Sequence, residues 1–260
     1  MLFTDNKTQR SFAKDPAVVK ISGRYLLYYT TPPAGEGMVG YGIGIAASED
    51  MESWENISYL EPEGEVEKNG ICAAGAIVLD GRVHLFYQTY GNAQNDAICH
   101  AVSDDGINFE RDRTNPVYSP GKSWCCGRAI DADVCVFGGR LFLYIATRDK
   151  AYERQMIGAA SADIDSDFSR GCWREEKAAP VLEPELEWEK TCIEAPATIA
   201  KDGLVYMFYG GAYNCSPQMI GCAVSSDGVN FKRISAGPIL PNGAKGEWNE
   251  LESGHPYVFE

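Results

Sequence analysis

Ala129-Ile130-Asp131-Ala132-Asp133-Val134-Cys135-Val136, followed by Gly138-Gly139-Arg140-Leu141-Phe142-Leu143-Tyr144, reads as a strand, a glycine turn and a second strand. Two carboxylates stand at the head of the first strand. A carboxylate at the mouth of a buried strand is unfavourable unless it is paired or used. The layout recurs at Ala17-Val18-Val19 turning at Gly23, at Ala76-Ile77-Val78 turning at Gly81, and at Ala197-Thr198-Ile199 turning at Gly203. Each recurrence ends in an apolar, tyrosine-rich strand.

Every unit continues with a small-residue strand and a polar turn closed by an aromatic: Gly44 to Trp54, His100 to Phe109, Gly158 to Phe168, and Gly221 to Phe231. Asp-Gly pairs in the second and fourth of these turns are hairpin signals. Each unit therefore reads as about four antiparallel strands, with no amphipathic helix between them. Repeated four-stranded units describe the blades of a β-propeller. Near-continuous apolar runs fit strands buried on both faces between neighbouring blades. A fifth unit begins at Gly254-His255-Pro256-Tyr257-Val258-Phe259-Glu260 and goes no further. The expectation is an all-β, five-bladed propeller, one catalytic domain over 1–260, with four complete blades and an incomplete fifth. The rest of that blade is missing, or is supplied by the N-terminal segment or a partner.

The 260 residues carry a formal charge of −14. That balance argues against nucleic acid, whose phosphates want a basic surface, and against anionic membranes. A neutral oligosaccharide fits as substrate. No apolar run approaches a membrane span. The N-terminus lacks the apolar core of a secretory signal, so a cytoplasmic protein is expected. The nine cysteines include no CxxC, and a vicinal pair stands at Cys125-Cys126. Reduced, mostly buried thiols are expected.

Counting back eight residues from Gly23 and Gly139 reaches Asp15 and Asp131; from Gly81 it reaches Ala73. Glu194 lies nine before Gly203, and His255-Pro256 echoes Asp15-Pro16. Inner strands line the central channel of a propeller, so Asp15, Asp131, Glu194 and His255 are expected to converge at one mouth. Converging carboxylates are what glycoside hydrolysis needs: an acid for the leaving oxygen, and a second carboxylate for water or for the anomeric carbon. A third charge nearby raises the acid's pKa. Asp133 sits level with Ala17, one step deeper, and is taken as a supporting neighbour of Asp131.

Lys14-Asp15-Pro16-Ala17-Val18, Ala129-Ile130-Asp131-Ala132-Asp133-Val134 and Ile193-Glu194-Ala195-Pro196 resemble the three acid motifs of glycoside hydrolase family 43. Ser253-Gly254-His255-Pro256 is similar to its glycine-histidine motif. The resemblance covers essentially the whole chain. It implies inversion of configuration, with Asp15 as general base, Asp131 as pKa modulator and Glu194 as general acid. It also implies arabinofuranosyl or xylosyl substrates, no required cofactor, and a possible calcium ion held through waters near His255. Cys72-Ala73-Ala74 stands where the family often has a Trp-Ala-Pro-like motif. Families 32 (fructosidases) and 130 (phosphorylases) share the acid order and are alternatives, as is a carbohydrate-binding propeller without catalysis. Arg128 or Arg148 is available for a phosphorylase's anion.

Trp124, Trp188, Arg128 and Arg148 are candidate sugar contacts at the mouth, with Tyr90, Asn92 and Tyr213 after middle strands. Trp54 is read as core, His84 and His100 as structural, and Glu183 to Lys190 as a solvated loop.

Overall fold

The computed structural model describes residues 3–8, 10–32, 40–213 and 216–260, with 7, 8 and 10 through their backbone alone. Cys215 lies outside the described residues. Four antiparallel four-stranded sheets form the blades, each in simple up-and-down order. Blade I is Lys14–Ile21, Arg24–Thr31, Gly42–Ser48 and Glu55–Leu60. Blade II is Ile71–Leu79, Arg82–Thr89, Ile98–Ser103 and Glu110–Arg111. Blade III is Ile130–Phe137, Arg140–Arg148, Gln155–Asp163 and Arg174–Glu175. Blade IV is Ile193–Lys201, Leu204–Gly211, Met219–Ser225 and Lys232–Arg233. One four-residue α-helix, Gly64–Glu67, precedes blade II. No helix among the described residues is long and apolar enough to cross a membrane.

The first hairpin of each blade turns on two residues with positive φ, as at Asp80 (48°) and Gly81 (77°). Both central residues of this turn type need that left-handed conformation, and its twist matches that of the flanking strands. The Asp-Gly turns after the third strands are different. In blade II, Asp105 accepts the backbone N–H groups of Ile107 (2.8 Å) and Asn108 (2.8 Å), and Ser103 Oγ donates to it. Tyr28 of blade I donates to the Gly106 carbonyl at 2.8 Å; Tyr144 of blade III does the same to Gly228 of blade IV at 2.9 Å. A Cβ on Gly106 would lie 2.4 Å from Leu26 Cδ1. These turns therefore fasten adjacent blades instead of closing tight hairpins.

Apolar residues fill the spaces between blades. Leu26 and Tyr28 meet Val83 and Leu85; Phe86 and Ile98 meet Leu141 and Leu143; Tyr144 and Ile157 meet Met207 and Tyr209. The far face of blade I (Val18, Leu27, Tyr29, Ala46) is covered by Phe3 and Ala13 from one terminus and by Tyr257 and Phe259 from the other. The N-terminal strands Asp5–Thr8 and Arg10–Phe12 pair with each other, not with a fifth sheet. Asp5 accepts hydrogen bonds from Tyr29 (2.7 Å) and Tyr59 (2.9 Å). Residues 254–260 form no strand. Even so, His255, Pro256 and Tyr257 take the fifth seat around the central channel, beside Asp15-Pro16, Ala73-Ala74, Asp131-Ala132 and Ala195-Pro196. Tyr257 Oη donates to the Val18 carbonyl at 3.0 Å.

Candidate active site

The inner strand of every blade breaks register near its head: between Lys14 and Ala17, Cys72 and Gly75, Ile130 and Asp133, and Glu194 and Ala197. At each break one residue adopts a left-handed backbone: Asp15 (φ 56°), Ala73 (47°), Asp131 (52°) and Ala195 (49°). His255 repeats the conformation at 48°. A non-glycine residue with such a φ is uncommon and held only by its surroundings. Ala195, not Glu194, is thus the register equivalent of Asp15 and Asp131. Glu194 pairs opposite Gly210, as Lys14 does opposite Thr30 and Cys72 opposite Gln88. The bulge lets side chains from both positions reach the same mouth.

Asp15, Asp131, Glu194 and His255 line one open cavity with Lys14, Thr30, Cys72, Gln88, Arg128 and Gln155. Phe12, Tyr41, Tyr90 and Tyr213 complete its walls. His255 holds the centre. Its Nδ1 lies 2.7 Å from Asp15 Oδ1 and its Nε2 3.8 Å from Glu194 Oε1. Thr30 Oγ1 donates to Asp15 Oδ2 at 2.7 Å, and Lys14 Nζ is 3.5 Å from Asp15 Oδ1. Gln218 Nε2 donates to Glu194 Oε1 at 2.7 Å, and Gln155 Nε2 donates to Glu194 Oε2. The Asp131 backbone N–H donates to Gln88 Oε1 at 2.6 Å, whereas its buried Oδ2 has no hydrogen-bond partner.

These surroundings separate the carboxyls electrically. Burial works to raise the Asp15 pKa, but the charge and hydrogen bond of His255, with Lys14 and Thr30, outweigh it and hold Asp15 well below the usual range. Burial likewise opposes ionisation of Glu194, and His255, Gln218 and Lys14 reverse it. Asp131 is pushed up to about 6, by burial first and then by Glu194 and Asp15, against His255. Burial would lower His255, but Asp15, Glu194 and Asp131 carry it to about 10. At neutral pH the free site is therefore an imidazolium among carboxylates, Asp131 being the weakest acid of the three.

Other expected contacts lie elsewhere. Trp124 packs on Gly158 and donates Nε1 to Glu175 Oε1 at 2.9 Å, away from the cavity. Trp188 stacks on Tyr209 with ring centres 6.1 Å apart and donates to the Ala236 carbonyl. Both tryptophans are packing residues. Asn92 bonds Asn69 in a separate groove. Asp133 does not reach the cavity. It accepts the Thr198 backbone N–H at 2.7 Å and lines the narrow channel beneath, where burial pushes it up to about 7. Arg128 does line the cavity, 3.4 Å from Asp96. Arg148 stands one residue behind, against Gln155. Within Glu183 to Lys190, Glu189 is no solvated residue: it is fully buried, bound to Arg233 at 2.7 Å and to Tyr209 at 2.7 Å. Trp54 is only partly buried, against the far face of blade I. His84 and His100 stack within blade II, Nδ1 to Nε2 at 3.0 Å.

Both ring nitrogens of His255 face carboxylates, and among the described residues no group of three or more His, Cys, Asp or Glu is placed to ligate a metal ion directly. The eight described cysteines are free thiols.

Lys14, Gln88, Gln155 and Gln218 were not singled out from sequence. Lys14 is adjacent to Asp15, and Gln155 opens an otherwise apolar strand; those were the available signals.

The profile of glycosyl hydrolases family 43 matches residues 4–259. The chain belongs to this family. A 1,2-β-oligomannan phosphorylase of Thermoanaerobacter sp. (strain X514) is 28% identical over 220 residues, 80% of this chain and 68% of that protein. A thermostable family-43 glycoside hydrolase superposes with a TM-score of 0.69 at 20% identity, covering 93% of this chain and 78% of the other. A family 32 β-fructofuranosidase from Bombyx mori gives 0.66 at 18% identity, covering 86% of this chain and 48% of the other. The two structural likenesses establish a shared propeller fold.

Proposed function

We propose that this family 43 chain is an inverting glycosidase acting on arabinofuranosyl or xylosyl linkages. The observation that supports it best is the meeting of Asp15, Asp131 and Glu194 in one cavity around His255. Asp15, kept ionised, takes the proton of the attacking water as general base. Glu194 protonates the leaving oxygen as general acid. It rests ionised in the free site, so it must be loaded first; the His255 imidazolium, with Nε2 3.8 Å away, is the neighbouring proton source. Asp131, with one oxygen unpartnered, holds negative charge beside both and favours an oxocarbenium-like centre. A neutral oligosaccharide substrate fits a mouth walled by tyrosines and polar groups.

Phosphorolysis is the second reading. Lys14 and Arg128 place two cations on the cavity wall, and the relative from Thermoanaerobacter is a phosphorylase. Turnover of nitrophenyl α-L-arabinofuranoside and β-D-xyloside, with and without inorganic phosphate, separates the two. Hydrolysis at an unchanged rate without phosphate supports the first reading. Turnover that requires phosphate replaces it with the second. Sugar binding without turnover on a broad nitrophenyl panel leaves a carbohydrate-binding propeller.

A further inference from the structure

Two amides hold Glu194, and they are held differently. Gln218 is completely buried, and the Nε2 that serves Glu194 also donates to the Ala212 carbonyl at 3.0 Å. Gln155, 2% exposed, is oriented by a side chain instead. Arg148 Nε donates to its Oε1 at 3.0 Å. An arginine offers only donors, whereas a carboxamide offers a donor at one end and an acceptor at the other. Arg148 therefore turns the Gln155 oxygen toward itself and the NH2 group toward Glu194. The guanidinium also reaches the rim. Its centre lies 4.5 Å from the Tyr152 ring and 5.9 Å from the Tyr213 ring, and Nη1 donates to the Tyr152 carbonyl at 3.3 Å. Tyr213 is half exposed and walls the cavity that Glu194 serves.

We propose that Arg148 is a positioning residue that acts on Glu194 through the Gln155 carboxamide, and that it joins the acid to the Tyr152–Tyr213 rim where a leaving sugar ring stacks. The consequence for the proton follows from the amide. Held by Arg148, Gln155 presents a donor, which suits a carboxylate. Released, it can turn and present its oxygen, which suits the protonated acid. Loss of Arg148 therefore raises the proton affinity of Glu194. The other groups facing Glu194 are His255, Lys14, Asp131, Asp15, Gln218 and Cys192, and none of them is replaced in the cycle below.

The test is a double-mutant cycle read by carbon NMR of glutamate-labelled protein, with the Glu194 carboxyl assigned by its loss in Glu194→Gln. Arg148→Met and Gln155→Leu are each expected to raise the Glu194 midpoint by roughly half to one pH unit, the equivalent of one lost hydrogen bond. The double variant is expected to titrate with Gln155→Leu, because Arg148 has nothing left to act through. Additive shifts, or an unmoved midpoint in Arg148→Met, overturn the proposal. Gln155→Met closes the same cycle if Gln155→Leu does not fold. A second readout tests the rim: Tyr213→Ala is expected to lower the ratio of kcat/KM for a disaccharide to that for the glycosyl fluoride about tenfold, since fluoride leaves no sugar to stack. The catalytic meaning rests on Glu194 as the acid. The titration needs no turnover, so an inactive protein with a non-additive cycle removes the proposed function and keeps the relay.

Discussion

Blades II and IV are built alike and used differently. Each buries a glutamate just ahead of its inner strand, Glu67 in one and Glu189 in the other. Each gives that glutamate a tyrosine twenty residues later and an arginine forty-four later: Tyr87 and Arg111, Tyr209 and Arg233. Tyr87 donates to Glu67 at 2.5 Å, and Tyr209 to Glu189 at 2.7 Å. At the channel the likeness stops. Blade II presents Cys72 and Ala73; blade IV presents Glu194 and Ala195. Burial alone therefore does not mark a functional acid in this molecule. Glu67 and Glu189 are each paired with an arginine and hydrogen-bonded by a tyrosine of their own blade. Glu194 instead has amides from Gln155 and Gln218 and shares the single imidazole of His255 with Asp15, the two acids flanking the ring. A scaffold acid has an arginine and a tyrosine of its own blade; the candidate catalytic acid shares one imidazole with a second acid of the cavity.

The largest effects should fall on opposite quantities in the two classes. Glu194→Gln is expected to lower kcat on a disaccharide by about 10²–10⁴-fold with little change in thermal midpoint. Glu189→Gln removes the buried carboxylate that Arg233 and Tyr209 share and is expected to destabilise by roughly 3–5 kcal/mol, measured by urea unfolding. Equal stability losses in both would erase the distinction. Asp15→Asn sharpens it further. As the base, Asp15 is needed whatever leaves, so its loss should be equally severe on a nitrophenyl glycoside and on a disaccharide. Glu194→Gln should be milder on nitrophenol, which departs without a proton.

Asp133 supplies a smaller effect. Its pKa is raised to about 7 from 3.8, so the folded protein holds its proton when the unfolded chain has released it. Stability is thus lost as pH rises from about 4 to 7. Asp133→Asn keeps an acceptor for Thr198 and removes that loss. It is expected to be more stable than the parent at pH 8, by on the order of 2–4 kcal/mol, and no more stable at pH 3. His255 acts in the same direction at higher pH: raised to about 10 from 6.5, it contributes stability below 6.5 that disappears as pH climbs through 10. The difference between parent and His255→Asn should shrink across that window in calorimetry.

The blades were legible because glycine turns and near-continuous apolar runs repeat in the chain itself. The bulge at each strand head was not. It lets two successive positions face the same mouth, so Glu194, one residue ahead of Ala195, serves the cavity beside Asp15 although Ala195 is the register counterpart. The acids were readable as a set, since each opens an apolar strand eight or nine residues before a turn glycine. Their partners were not, because Thr30, Gln88, Gln155 and Gln218 arrive from other strands and other blades. Trp124 and Trp188 show the limit most plainly. A loop tryptophan next to a site carries no period to say which way its ring turns, and both turn into the blade. Glu189 failed for the opposite reason: it sits in an acidic run, and its arginine lies far along the chain.

The central claim is that Asp15 and Glu194 act from opposite sides of the bond, as base and acid across a water. The stereochemistry of the first-formed product tests it most directly. Proton NMR during the early turnover of whichever nitrophenyl pentoside is cleaved should show the anomer of inverted configuration before mutarotation mixes the two. A first product of retained configuration would mean that a carboxylate attacks the sugar itself, and would contradict the roles given to Asp15 and Glu194.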